Sequence, residues 1–282
     1  MAAGSDSQSS TGQRTERYSQ HANPAFEERL ALRTAANEGA FFLPYLRPGM
    51  RVLDVGCGPG SISLGIAEKI ALGQVVGIDF QESQIAQAKA LAASRGQRNV
   101  RFEVADVYQL PFPDGSFDAA FANTVLMHLN QPLRALTEMR RVLRPGGIIG
   151  VRDCDWGGRI HVPATPLLEQ WYAIMVRVRQ QNGGDPFMGR YHRSLLLDAG
   201  FMRAEASVSV ASAGTPEETR HHATFLKAQL HGLGSTALAE GWIDEATVEA
   251  LSAEIDAWSV RPDALYADMF CEAIGWVSED VT

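Results

Sequence analysis

Apolar residues along this chain fall into two rhythms that alternate from about residue 50 to residue 153. Short runs rich in Val, Ile, Phe or Ala, bounded by Gly, Asp or Asn, predict strands. They are "RVLDV" (51–55), "QVVGID" (74–79), "VRFEVAD" (100–106), "FDAAFAN" (117–123) and "GGIIGVRD" (146–153). Between them, apolar positions recur at helical spacing: Ile85, Ala88 and Ala92 within 81–94, then Leu133, Leu136 and Val142 within 132–143. Pro132 suits the first turn of that second helix. Strand–helix alternation at this spacing predicts an α/β fold, a mostly parallel sheet with helices on both faces.

The rhythm changes after Asp153. Residues 165–181 and 190–200 read as helices and 202–212 as a strand. Thr215-Pro216-Glu217-Glu218 is a capping box with proline at the first helical position, opening a helix through about His231. A second helix carries Val248, Leu251, Ile255 and Trp258 on one stripe, while "YADMFCEAIGWV" (266–277) fits either period. The expected division is a disordered leader at 1–15, an N-terminal helical cap at 16–46, an α/β core at 47–212, a helical lid insertion at 213–260, and a final strand at 261–282 completing the core.

Composition narrows the partners. Of 282 residues, 45% are hydrophobic and 21% charged, enough for one large core. Thirty-three acids against 25 bases give a net charge of −8, which argues against a surface built for nucleic-acid phosphates. The polar start "MAAGSDSQSSTGQRT" lacks a signal-peptide core, and no apolar run reaches membrane-spanning length. The expectation is a soluble, cytoplasmic protein. Cys57, Cys154 and Cys271 have neither disulfide-framework nor zinc-ligand spacing, and no metal is expected.

The stretch "VLDVGCGPGSIS" (52–63) places Gly56, Gly58 and Gly60 at the carboxyl end of the first strand, just before a helix. Ligands of open parallel sheets bind at that edge, and glycine permits close approach of backbone to ligand. Asp79 ends the second strand, where a carboxylate can accept both hydroxyl hydrogens of a ribose. The spacing is GxGxG, with Ser61 where a dinucleotide fingerprint has its third glycine. Asp54, two residues before the first glycine, is awkward beside a pyrophosphate and sensible beside an ammonium and a sulfonium. The pattern therefore favours S-adenosylmethionine (SAM) over NAD. In "VADVYQLPFPDGSFDAAFAN", Asp106 can accept from an exocyclic adenine amine and the Val107 N–H can serve the ring nitrogen.

These motifs, "VLDVGCGPG", "GIDFQ", "ADVYQLPFPDGSFD" and "LRPGG", make the segment from about Arg47 to Asp153 resemble a class I SAM-dependent methyltransferase of the ubiquinone/menaquinone-biosynthesis-like type. The resemblance implies a Rossmann-like seven-stranded sheet with the last strand antiparallel, which gives 266–277 a place. It implies cofactor contacts at Asp54, Gly56, Gly58, Asp79, Phe80, Asp106, Val107 and Asn123, and at Tyr18 from an N-terminal tyrosine that closes over the cofactor.

Methyl transfer from a sulfonium needs alignment and dryness, and a base only where the acceptor must lose a proton. His128, just beyond the fourth strand, is the candidate general base, or else a histidine packed at a helix start. Asp153, Asp155 and Trp156 follow the fifth strand and are candidates for the acceptor pocket; Trp156 can stack on a planar substrate or pack the body. His161, His192 and "RHH" (220–222) are expected at the surface or in the lid. A small apolar or aromatic metabolite under a helical lid is the expected acceptor, methylated on carbon, oxygen or nitrogen, with carbon of an electron-rich ring favoured. The other reading is a SAM- or S-adenosylhomocysteine-binding protein of the same fold without methyl transfer, a scaffold or lyase. A homodimer through a swapped N-terminal helix is compatible with the sequence.

Overall fold

A computed structural model describes residues 32–279. Tyr18, the leader and most of the predicted N-terminal helical cap lie outside the described residues. The chain then runs α1 (Ala35–Glu38), β1 (Arg51–Val55), α2 (Ser61–Lys69), β2 (Gln74–Asp79), α3 (Glu82–Ser94), β3 (Val100–Val104) and β4 (Phe117–Asn123). It continues with α4 (Pro132–Val142), β5 (Leu143–Val162), α5 (Pro166–Gln181), α6 (His192–Asp198), β6 (Arg203–Ala213), α7 (Pro216–Ala239), α8 (Glu245–Ser259) and β7 (Leu265–Trp276). Short 3-10 turns at Leu43–Tyr45, Leu126–His128 and Met188–Tyr191 link these elements.

The seven strands form one sheet in the order β3-β2-β1-β4-β5-β7-β6. The pairs from β3 to β5 are parallel, and β7 lies antiparallel between β5 and β6. The sheet grows outward from β1 in one direction through β3, then reverses at β4, so the crevice between β1 and β4 is the topological switch point. Register aligns the strand ends: Val55 faces Ile78, and Asp79 faces Val104. The glycine turn after β1, Asp79 and the segment after β3 therefore share one edge.

Alternation along the strands feeds two cores. Val52, Phe121 and Ile148 pack with Phe42 and Ile66 on one face. Leu53, Val55 and Ala122 pack with Leu136, Met139 and Leu196 on the other. A third cluster, centred on Trp171, Leu226, Leu230, Leu251, Trp258 and Tyr266, joins α5, α7, α8 and the start of β7. Thr215 caps α7 in the reciprocal box with Glu218 that the sequence indicates, and the helix runs on to Ala239, beyond the expected His231.

Two expectations need correction. The fifth strand does not stop at Asp153. It continues to Val162 past a register shift between Asp155 and Ile160, because Tyr266 and Leu265 of β7 pair with His161 and Val162. Segment 152–158 is thus strand, with no loop at that point. The helix expected over 190–200 is shorter, preceded by the 3-10 turn at Met188–Tyr191.

Candidate active site

A cavity of about 500 Å³ opens at the switch point. One wall of it comes from the four strand ends that the motifs mark, those of β1 to β4. Asp54, Gly56, Gly58, Asp79, Phe80, Asp106, Val107 and Asn123 all line it. The loop is held by its own acid: Asp79 Oδ2 accepts the Gly58 N–H at 3.0 Å and Oδ1 accepts the Gln81 N–H at 2.9 Å. One carboxylate oxygen accepts two hydrogen bonds, so each keeps capacity for a ligand hydroxyl. Asp106 accepts the Tyr108 N–H at 2.8 Å and keeps its other oxygen exposed. Phe80 is exposed at the rim.

Asp54 is the buried charge of this wall, at 3% exposure, with the Ser63 hydroxyl donating to it. Burial pushes its carboxyl up to about 7; the Ser63 bond opposes that rise and the nearby Asp79 charge adds to it. Such a carboxylate ionises readily only beside a cation.

The residues fit SAM by observation as well as by motif. A Cβ built on Gly58, at φ +51°, projects into open cavity and meets only Gln84 Oε1, at 3.7 Å. That backbone can therefore approach a ligand as no other residue would allow. Gln84 Oε1 and Asn123 Nδ2 are buried and have no partner among the described residues, one acceptor and one donor on the cavity wall. Buried polar atoms of this kind ordinarily find a partner, so a polar ligand is what completes the wall.

The far wall holds Trp156, Arg159 and Cys154 from β5, Arg179 from α5, Phe225 and Gln229 from α7, and Asp268 and Phe270 from β7. His128 also lines it, with Arg179 donating to its Nδ1. Burial, then the charges of Arg179 and Arg33, hold its pKa well below the usual imidazole value. A ring so placed is neutral, with one lone pair engaged by a guanidinium. Burial raises the Cys154 and Cys57 thiols well above their ordinary values, so neither supplies a thiolate.

Asp155 does not join this wall. Strand alternation turns it to the opposite face from Cys154 and Trp156. There it accepts a bidentate pair from Arg190 at 2.6 and 2.7 Å and the Gly157 N–H at 2.9 Å. Of the histidines expected at the surface or in the lid, His222 does lie in α7 but with a buried side chain, His192 is also buried, and His161 is half-buried. His192 is 1% exposed and bonded to Asp153 at 2.9 Å, and His222 lies 3.7 Å from the Tyr266 ring. His161 sits against Tyr172 and Trp258. Arg159, Gln229 and Asp268 are the site residues that sequence reasoning missed; Arg159 and Asp268 meet only because β5 and β7 run past β4 together.

A family model described as a methyltransferase domain matches residues 46–188, about half of the chain. Along almost its whole length the chain is 30% identical to "Probable methyltransferase ltbC" of Aspergillus luteorubrus, covering 95% of this chain and 99% of that protein. Among solved structures, the [4+2]-cyclase SpnF is 27% identical with a TM-score of 0.51, over 90% of this chain and 80% of that one. YcgJ of Bacillus subtilis shares the fold with a TM-score of 0.59 at 16% identity, over 87% of this chain and all of that one. Strand order, glycine turn and these relatives agree: the chain belongs to the class I SAM-dependent methyltransferase family.

Proposed function

We propose that this protein transfers the methyl group of SAM to a small aromatic metabolite bound in the same cavity. The observation that carries the proposal is the continuity of that cavity. The acid-lined glycine cradle and a wall of Trp156, Phe225 and Phe270 enclose one space. In this reading Asp79 holds the ribose, Asp54 the amino-acid ammonium, and Asp106 with the Val107 N–H the adenine. Gly56 and Gly58 give backbone clearance, and Asn123 offers its Nδ2 while its Oδ1 accepts from Arg152. Bound SAM supplies an already activated methyl group on sulfur. The protein's own contribution is to bind both molecules, hold them in line and keep water out.

The surroundings of His128 bear on which acceptor suits the site. A neutral imidazole with a depressed pKa and an engaged Nδ1 takes up a proton poorly. His128 therefore shapes and polarises the cavity, and the acceptor arrives nucleophilic, as an electron-rich ring carbon or an ionised ring oxygen. Carbon methylation is the outcome this favours. The helices α7 and α8 act as a lid: Phe225 and Gln229 reach the cavity while Leu226, Leu230, Leu251 and Trp258 anchor the pair to α5 and β7. No helix of the described residues is long and apolar enough to cross a membrane, which fits an acceptor met in solution.

One comparison favours a second reading. SpnF, at 27% identity, is a cyclase. A SAM- or S-adenosylhomocysteine-binding protein without transfer would need the same cradle. Methyl-labelled SAM incubated with the protein and an extract of its source cells separates the two. Label in an organic-extractable small molecule supports transfer. Tight SAM binding with no label in any fraction supports the second reading, and label in protein or nucleic acid overturns the acceptor class.

A further inference from the structure

The charges lining the cavity are sorted. Asp54, Asp79 and Asp106 stand together at the ends of β1 to β3, and no arginine lines that side. Arg33, Arg159 and Arg179 gather around His128 and Trp156. Arg33 and Arg179 both act on His128, and Arg159 and Arg179 lie 5.0 and 5.4 Å from the Trp156 ring centroid. Asp268 is the carboxylate among the lining residues at this end. A cavity with carboxylates at one end and guanidiniums at the other is built for two ligands of opposite charge.

Arg159 is the best-placed of the three. Its side chain is 8% exposed, and its Nε donates to Asp268 Oδ1 at 3.1 Å, an oxygen that also accepts the Tyr266 hydroxyl at 2.9 Å. Asp268 and Tyr266 thereby fix the guanidinium from one side. Its Nη1 and Nη2 carry four further N–H groups with no protein acceptor among the described residues. The flat guanidinium also lies 4.5 Å from the Tyr172 ring centroid and 5.0 Å from that of Trp156, which set its plane. Across the cavity on α7, Gln229 is 6% exposed and its Oε1 is buried without a partner among the described residues. A fixed fork of donors on one element and an unmet amide on another, between aromatic walls, describe a planar molecule with a charged edge.

We infer that the acceptor is a planar aromatic carrying an ionised oxygen, held by Arg159 with Gln229 reading a polar substituent across the ring. The inference rests on the cofactor reading above, which assigns the acidic end to SAM. A phenolate and an aromatic carboxylate share the chemistry that Arg159 recognises. On a phenolate the same contact keeps the ring electron-rich at the positions beside the oxygen. Arg159 and Gln229 are then specificity-determining residues of the transfer.

Tryptophan fluorescence and calorimetric titrations test this without needing the natural acceptor. The full chain is first titrated with S-adenosylhomocysteine, then, saturated with it, with two matched pairs. One is 2-naphthoate against methyl 2-naphthoate; the other is 4-nitro-1-naphthol, ionised at neutral pH, against its methyl ether. The charged member of at least one pair should bind about tenfold or more tightly than its neutral partner. Which pair shows the preference tells carboxylate from phenolate. In Arg159→Gln that preference should fall to near unity, with S-adenosylhomocysteine affinity within about twofold of wild type. Because Arg159→Gln leaves Asp268 buried and uncompensated, Arg159→Gln with Asp268→Asn is the second variant. Equal binding of charged and neutral members by wild type, or a preference that survives both Arg159 variants, overturns the inference. Loss of S-adenosylhomocysteine binding by wild type would instead refute the cofactor reading, and the naphthalene pairs titrated alone would still decide the charge preference.

Discussion

Asp54 makes cofactor affinity a function of pH in a way its environment fixes in advance. Its carboxyl titrates at about 7 in the folded protein against 3.8 for an unperturbed side chain, through burial and the Asp79 charge. In the cofactor reading the ligand's ammonium needs the ionised form. At pH 6 only about a tenth of the protein has Asp54 ionised, and at pH 5 about a hundredth. The dissociation constant of S-adenosylhomocysteine should therefore fall about tenfold per pH unit from 5 to 7 and level off above 7. One decade is about 1.4 kcal/mol. Binding below pH 7 should release close to one proton, visible as a dependence of the calorimetric heat on the buffer's ionisation enthalpy. Stability of the ligand-free protein runs the other way. The folded state holds this proton between about pH 4 and 7 while the unfolded chain has lost it, so stability falls as pH rises through that window. Asp54→Asn should flatten both curves and bind the ligand weakly at every pH. A wild-type dissociation constant that is level from pH 5.5 to 8.5 would sink the assignment of Asp54 to a cation.

In the proposed cofactor reading, Asp79→Ala should cost on the order of 2–4 kcal/mol of cofactor affinity by calorimetry, since a charged acceptor and the anchor of Gly58 are lost together. Gly58→Val forces a β-branched residue to φ +51° and fills the cradle, so S-adenosylhomocysteine binding should drop more than about tenfold while the fold persists by circular dichroism. Trp171, fully buried in the cluster that joins α7 and α8 to α5, should cost about 3–5 kcal/mol as Trp171→Ala in equilibrium urea unfolding. Turnover of His128→Gln on an identified acceptor should stay within about tenfold of wild type with an unshifted pH profile; a loss of about a thousandfold would restore the histidine as a base.

The sequence reads most clearly where a motif and its contacts lie close together in the chain. Asp79 and the Gly56–Gly58 turn meet because β1 and β2 are neighbours joined by one helix, so spacing alone predicts the cradle. The same holds for the Thr215–Glu218 cap, which is complete within four residues. Arg159 gives no such signal. Its partner Asp268 lies 109 residues on, and Gly157 and Gly158 just before it look like a loop. That stretch lies in the register shift of β5, between the β7 pairs at Asp155 and Ile160. The histidines mislead for a related reason: His192 and His222 sit in polar-looking helix segments, and their burial is decided by Asp153 and Tyr266. Asp155 shows the limit of proximity, since strand alternation sends it away from the cavity that Cys154 and Trp156 line.

The place of β7 between β5 and β6 also sets an order of assembly. A chain emerging N-terminus first can close β1 to β5 around the glycine turn early, because each strand from β2 to β5 pairs with one already made. The strand β6 then waits for a partner that has not been made, and the Arg159 guanidinium waits for Asp268. At roughly 5–20 residues per second, the 109 residues from Arg159 to Asp268 take on the order of 5–20 seconds, and β6 waits roughly half as long. During that time the nascent protein holds a formed glycine-turn side, an unpaired strand carrying Val208 and Val210, and a charge destined for burial without its counterion. The glycine-turn side of the cavity is thus completed first, and the side lined by Arg159 and Asp268 is completed only when the strand inserted between its neighbours arrives.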